Sequence, residues 1–170
     1  MVVSSKISGN QSRKMKSVSR LYAVQALFQM EHSSVSVDKV CEEFLKFRFG
    51  DYDQDLRFIE GNQELFKNLV SNAVKFQAAI DQMTDRALVE KWPIDRIDPT
   101  LRALFRVAGA EMKGLDTPSK VIISEYLTIS EAFYPDGKET KFVNAILDFM
   151  ARDTNPVSYT HLTLPTTNSV

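Results

Sequence analysis

Arg13, Lys16 and Arg20 recur at intervals of three and four residues, and Lys14 lies beside them. On a helix that spacing gathers the three charges on one face. A cluster of this kind neutralises phosphates, with an affinity that depends on salt and is largely blind to sequence. The plainer alternative is a solvated basic tail. Gln25 lies five residues past Arg20 and suits either contact with base edges or packing as a polar helix residue. A second group is Lys138, Lys141 and Phe142, read as the start of the last helix. Cations at a helix N-terminus oppose its dipole, so local stability does not account for them. An aromatic beside cations suits stacking on an unpaired base. Phe142 also fits a core position.

Other chemistry has little to build on. There are two histidines, His32 and His161, and no His/Cys pair at metal-ligand spacing. Cys41 falls on an apolar helical face and reads as a buried structural thiol. The six glycines are scattered. Gly137-Lys138 echoes the end of a phosphate-binding loop but lacks the upstream glycine and the following Ser/Thr. Asp81 and Asp85 read as a solvated acidic face. We therefore expect no catalysis, no metal and no cofactor.

The charge distribution favours the basic cluster. The first thirty residues carry Lys6, Arg13, Lys14, Lys16 and Arg20, and the first acid is Glu31. The other 16 Lys and Arg face all 22 Asp and Glu, so a nearly neutral chain is sharply divided. A cationic segment running into a structural helix is a footprint for a polyanion, with RNA or DNA the usual one. The N-terminus has no apolar core of a secretory signal. Its Ser-rich, acid-free composition also fits an organellar transit peptide, but residues 1–12 show no amphipathic stripe. No apolar run reaches the ~18 residues of a membrane helix. One cysteine excludes an internal disulfide and fits a reducing compartment. The expected location is cytoplasmic.

The elements that must position these residues read as helical throughout, and no segment alternates like a strand. The fold class is all-α. Leu21, Val24, Leu27 and Phe28 make one stripe of a first helix, and Ala23, Ala26 and Met30 a second. Ser17 or Ser19 is the expected cap. Val37, Val40, Cys41, Phe44 and Leu45 give a second helix after the polar turn at His32. Residues 48–61 hold four acids and no period, which reads as a surface connection. A long third helix starts near Asn62 and runs through Met83 and Leu88 to a break at Trp92-Pro93. Asp98-Pro99 and Thr117-Pro118 are helix starts. Tyr134 to Gly137 is a turn, and Phe142, Val143, Ile146, Leu147 and Met150 stripe the last helix. Three segments are expected: a disordered basic tail over 1–12, one helical domain over 13–152, and a disordered or non-native tail over 153–170.

Three ordered stretches resemble the NusB family of bacterial transcription antitermination proteins. The first is Arg20-Leu-Tyr-Ala-Val-Gln-Ala-Leu-Phe28. The second runs from Ile97-Asp98 through Arg102-Ala-Leu-Phe-Arg106-Val-Ala-Gly-Ala-Glu111-Met. The third joins Thr117-Pro-Ser-Lys-Val-Ile-Ile-Ser-Glu125 to Lys141-Phe142-Val143-Asn144-Ala-Ile-Leu147. The resemblance covers about residues 13–152. It implies two small three-helix bundles packed together and no catalysis. It implies binding to the boxA element of ribosomal RNA leaders, together with the ribosomal small-subunit protein that acts as NusE, within an RNA polymerase antitermination complex. The family's arginine-rich segment matches Arg13, Lys14, Lys16 and Arg20, and its Lys-Phe-Val-Asn motif matches Lys141 to Asn144, near RNA. Phe28 matches an aromatic near the NusE interface and also fits a core position.

The arm is sparser in arginine than in many relatives. Lysine offers a point charge rather than a fork, so a modest affinity for isolated RNA is expected. Arg102, Arg106, Glu111 and Glu125 are candidates for inter-helix ion pairs or for partner contact. Some relatives form homodimers that hide the arm, so a homodimer is possible here. Two rival readings are the NusB-like N-terminal part of a ribosomal RNA cytosine methyltransferase and a protein-binding helical adaptor with an inert arm. The methyltransferase would need a further catalytic domain with a Gly-rich loop and a catalytic cysteine, neither of which appears here.

Overall fold

The computed structural model describes residues 8–49, 61–88 and 96–156, and the backbone of 52–53 and 56–57. Lys6, Trp92-Pro93, His161 and the tail from 157 lie outside these residues. Helix α1 spans Gly9–His32, α2 Val37–Phe47, α3 Gln63–Lys75, α4 Gln77–Ala87, α5 Pro99–Gly114, α6 Ser119–Phe133 and α7 Thr140–Thr154. Between α2 and α3 lies a two-residue antiparallel ladder, β1 (Tyr52–Asp53) with β2 (Leu56–Arg57), inside the stretch expected to be irregular. The fold is all-α.

Several helix starts follow from local chemistry. The Asn62 side chain accepts from the Leu65 N–H at 2.9 Å, which caps α3 as its position predicts. Asp98 accepts from the Thr100 N–H at 2.7 Å and Pro99 fills the first helical position of α5. Gly137 has φ +71°, the left-handed conformation that lets the chain turn from α6 into α7.

Three expectations need correction. Helix α1 does not begin at Ser17 or Ser19. Its cap is Ser8, which accepts from the Gln11 N–H at 3.1 Å, so residues 9–12 of the expected tail are helical. The hydroxyls of Ser17 and Ser19 lie 3.0 Å from the carbonyls one turn back, of Arg13 and Met15, and closer still to Glu125 and the Asn62 carbonyl, so neither caps the helix. The long third helix is two helices. Phe76 leaves helical geometry at φ −103°, ψ 14°, and α4 restarts after it, with no glycine or proline to mark the break. Thr117 does not cap α6. Its hydroxyl donates to Glu111 at 2.8 Å, and Pro118 precedes the helix without a side-chain cap.

Helices α1, α2 and α3 pack on one another as one three-helix bundle. Their core is aromatic: the Tyr22 and Phe49 rings meet at 5.2 Å between centroids, and Phe44 stacks on Phe66 at 5.6 Å. In the second bundle α7 packs against both α4 and α6 around Ile80, Met83, Leu147 and Met150. Helix α5 lies between the two and touches α1, α3, α4, α6 and α7. At Gly109 a Cβ would stand 2.5 Å from Ile80 Cγ2, so the α4–α5 approach requires glycine there.

Candidate functional site

The first two turns of α1 present Arg13, Lys14 and Lys16 to solvent. The first turn of α1 holds no acid that would complement the positive end of its dipole. Three cations there raise the local potential rather than stabilise the helix, which is the arrangement expected of an anion-binding surface.

Arg20, expected to share that face, is inside the protein at 4% exposure. Its Nε lies 3.0 and 3.1 Å from the two Glu111 carboxylate oxygens, and its Nη2 donates to Glu111 Oε1 at 2.8 Å. Nη1 lies 3.6 Å from Glu125. Glu111 is fully buried and also accepts from Tyr126 Oη and Thr117 Oγ1, each at 2.8 Å. Burial disfavours the charged guanidinium, but the Glu111 hydrogen bonds and charge outweigh it and hold Arg20 above its ordinary value. Burial, reinforced by Glu111, pushes the Tyr126 phenol well up. Arg20 is therefore a structural ion partner and is not available to a phosphate. The signal was in the sequence. Arg20 precedes Ala23, Val24 and Leu27 at helical spacing, so it falls on the buried stripe of α1.

The proposed inter-helix ion pairs exist with other partners. Arg102 pairs with Glu31 at the end of α1. Arg106 reaches Asp81 on α4 through Nε and Nη2 at 3.0 and 2.9 Å, and Glu31 at 3.8 Å. Asp81 is thus part of a bundle-to-bundle pair rather than a solvated face, while Glu111 and Glu125 serve Arg20.

Gln25 and Phe28 come together further along α1. They line a recess of about 230 Å³ with Val24, Thr100 and Phe133. Among the described residues, Gln25 Oε1 is buried there without a hydrogen-bond partner. Phe28 is 38% exposed and stacks on His32 with ring centroids 4.3 Å apart. It is neither a core residue nor fully solvated.

The remaining candidates gather at the start of α7. Lys138 is exposed in the turn before the helix, and Lys141 and Asn144 are exposed within it. Phe142 is half-buried and meets Phe105 edge to face at 6.3 Å. It packs against the core through Phe105 and is neither fully buried nor fully exposed. Cys41 is buried on α2, and burial raises its thiol above the ordinary value. Among the described residues no three His, Cys, Asp or Glu converge to hold a metal ion. No described helix is long and apolar enough to cross a membrane.

The NusB family model matches residues 17–152. The transcription antitermination protein NusB of Maricaulis maris is 39% identical over 158 residues, 92% of this chain and 98% of that protein. That of Brucella abortus (strain S19) is 41% identical over 137 residues, 80% of each. Among solved structures, T. maritima NusB superposes with a TM-score of 0.65 at 28% identity, covering 80% of this chain and 89% of that one. A structure of antitermination factors NusB and NusE in complex with dsRNA gives a TM-score of 0.66 at 21% identity, over 81% and 96% of the two chains, a likeness of fold.

Proposed function

The chain belongs to the NusB family, and we propose that it is a non-enzymatic RNA-binding adaptor of transcription antitermination. It binds boxA RNA of ribosomal RNA leaders together with the ribosomal protein that acts as NusE, and does so in the cytoplasm as part of an RNA polymerase complex. The observation that carries this reading is the run of three exposed cations, Arg13, Lys14 and Lys16, on the first two turns of α1. They supply phosphate contacts. Lys138, Lys141, Phe142 and Asn144 supply a second, local contact, with the half-buried ring of Phe142 as the stacking surface. Gln25 and Phe28 face the protein partner. The recess beside them offers apolar walls and one unmet acceptor, which a donor from a partner would satisfy. With Arg20 withdrawn into the core, the arm holds one arginine and two lysines, and a partner that completes the RNA surface is the economical arrangement.

The test is a titration of labelled boxA RNA against a scrambled RNA, with and without the NusE-type partner. Replacing Arg13, Lys14 and Lys16 together by Ala should weaken binding and flatten its salt dependence. On a single strand the slope should fall by roughly 0.7 for each phosphate the arm no longer neutralises. Unchanged affinity with an unchanged slope refutes the assignment of the arm.

A further inference from the structure

The cationic turns of α1 extend past a clamp. On one side the Asn62 backbone grips the helix: its N–H donates to Met15 O at 3.3 Å, and its carbonyl accepts from Ser19 Oγ at 2.7 Å. Gly61 makes this approach possible, because a Cβ there would stand 3.0 Å from Ser19 Oγ and 2.4 Å from the Phe49 ring. On the other side stands Glu125 of α6. Ser17 Oγ lies 2.8 and 3.1 Å from its two carboxylate oxygens, and Arg20 approaches it at 3.6 Å. The Ser17 hydroxyl also lies 3.0 Å from Arg13 O, but a charged acceptor makes the stronger bond. Among the described residues, the Ser17 bond to Glu125 is the outermost hydrogen bond from α1 to α6 before the helix reaches Lys16, Lys14 and Arg13. The Glu125 side chain keeps 24% exposure, so it lies beside the arm rather than deep beneath it.

A carboxylate next to a phosphate-binding arm is unfavourable by charge alone. It lowers the positive potential that attracts RNA. Its presence calls for a compensating role, and the hydrogen bonds supply one. We propose that Glu125, acting through Ser17 and Arg20, is a positioning residue that fixes the direction in which the α1 arm leaves the body, so that Arg13, Lys14 and Lys16 meet RNA already ordered. The inference rests on the reading of the arm as an RNA contact. A preordered arm avoids the entropy of ordering long side chains and their backbone on binding. Loosening the clamp therefore acts on affinity opposite to the charge change.

Two variants decide this. Glu125→Ala removes a negative charge and both acceptors beside the arm, so electrostatics alone predicts tighter RNA binding. Positioning predicts binding weaker by roughly three- to tenfold, the effect of re-ordering one or two loosened side chains. Ser17→Ala leaves charge untouched and raises intrinsic helix propensity, so weaker binding reports the lost hydroxyl, whose tertiary contact is Glu125. Both are measured with boxA RNA, and the amide hydrogen exchange of residues 13–17 is followed without RNA. Weaker binding and faster exchange in both variants support the proposal. Tighter or unchanged binding in Glu125→Ala, or unaltered exchange in both, overturns it. If replacing Arg13, Lys14 and Lys16 by Ala leaves RNA binding intact, the functional reading fails instead, and the exchange data still test the clamp.

Discussion

Glu111→Gln places a neutral amide where Arg20, Tyr126 and Thr117 all converge on a fully buried carboxylate. The amide nitrogen would turn a donor toward donors, and the Arg20 charge would keep only Glu125 at 3.6 Å. Removing one partner of a buried ion pair typically costs about 3–5 kcal/mol. The remaining Glu125 places the expected loss near the lower end, about 3 kcal/mol. A native domain of this length holds roughly 0.05–0.15 kcal/mol per residue, so the variant should still fold. Arg20→Met leaves the opposite charge stranded and should cost about as much. Arg20→Met with Glu111→Leu strands neither charge. It should recover much of the loss, short by the ~1–3 kcal/mol of an unpaired Tyr126 hydroxyl. Adding Tyr126→Phe should remove that remainder. Urea titrations followed by far-ultraviolet circular dichroism measure all four. A Glu111→Gln protein within about 0.5 kcal/mol of the wild type would refute the buried-charge reasoning, and so would a double variant as unstable as the two single losses combined.

Two further outcomes follow from packing and titration. Gly109→Ala should cost about 1–3 kcal/mol through the 2.5 Å approach to Ile80 Cγ2, less the ~1 kcal/mol that alanine gains in a helix, as read from urea midpoints. The Tyr126 phenol is raised above its ordinary value of 10.0 in the folded state. Its contribution is fully present below about pH 10, where the unfolded chain also keeps the proton, and is lost as pH rises through the raised native value. Wild type should therefore show a steeper alkaline fall in stability than Tyr126→Phe, and parallel curves would contradict this.

Local signals in the chain are readable where they act locally. Asn62, Asp98-Pro99 and the turn ending at Gly137 do what their chemistry dictates within four residues. The exposed half of the basic face is legible because charge patterning needs no tertiary knowledge. The burial of Arg20 is legible in its spacing to Ala23, Val24 and Leu27, but its partners escape such reasoning, because Glu111 and Glu125 lie far along the chain. Asp81 escapes it for the same reason, since Arg106 reaches it from α5. The break at Phe76 carries no glycine or proline, and the early start of α1 rests on a lone Ser8. Short-range rules have no purchase on such positions.

Helix α5 buries ten of its sixteen residues and touches both bundles. Neither bundle can complete its core without it. The two halves therefore have no independent melting points to display, and unfolding should be a single cooperative event. Amide protons along α5 should exchange only through global opening, while those of the first turns of α1 exchange through local fraying. The molecule thus ties its least permanent segment to its most permanent one through a buried side-chain pair, Arg20 of α1 with Glu111 of α5, and Arg20 is where a change in the arm would first be felt as a change in the fold.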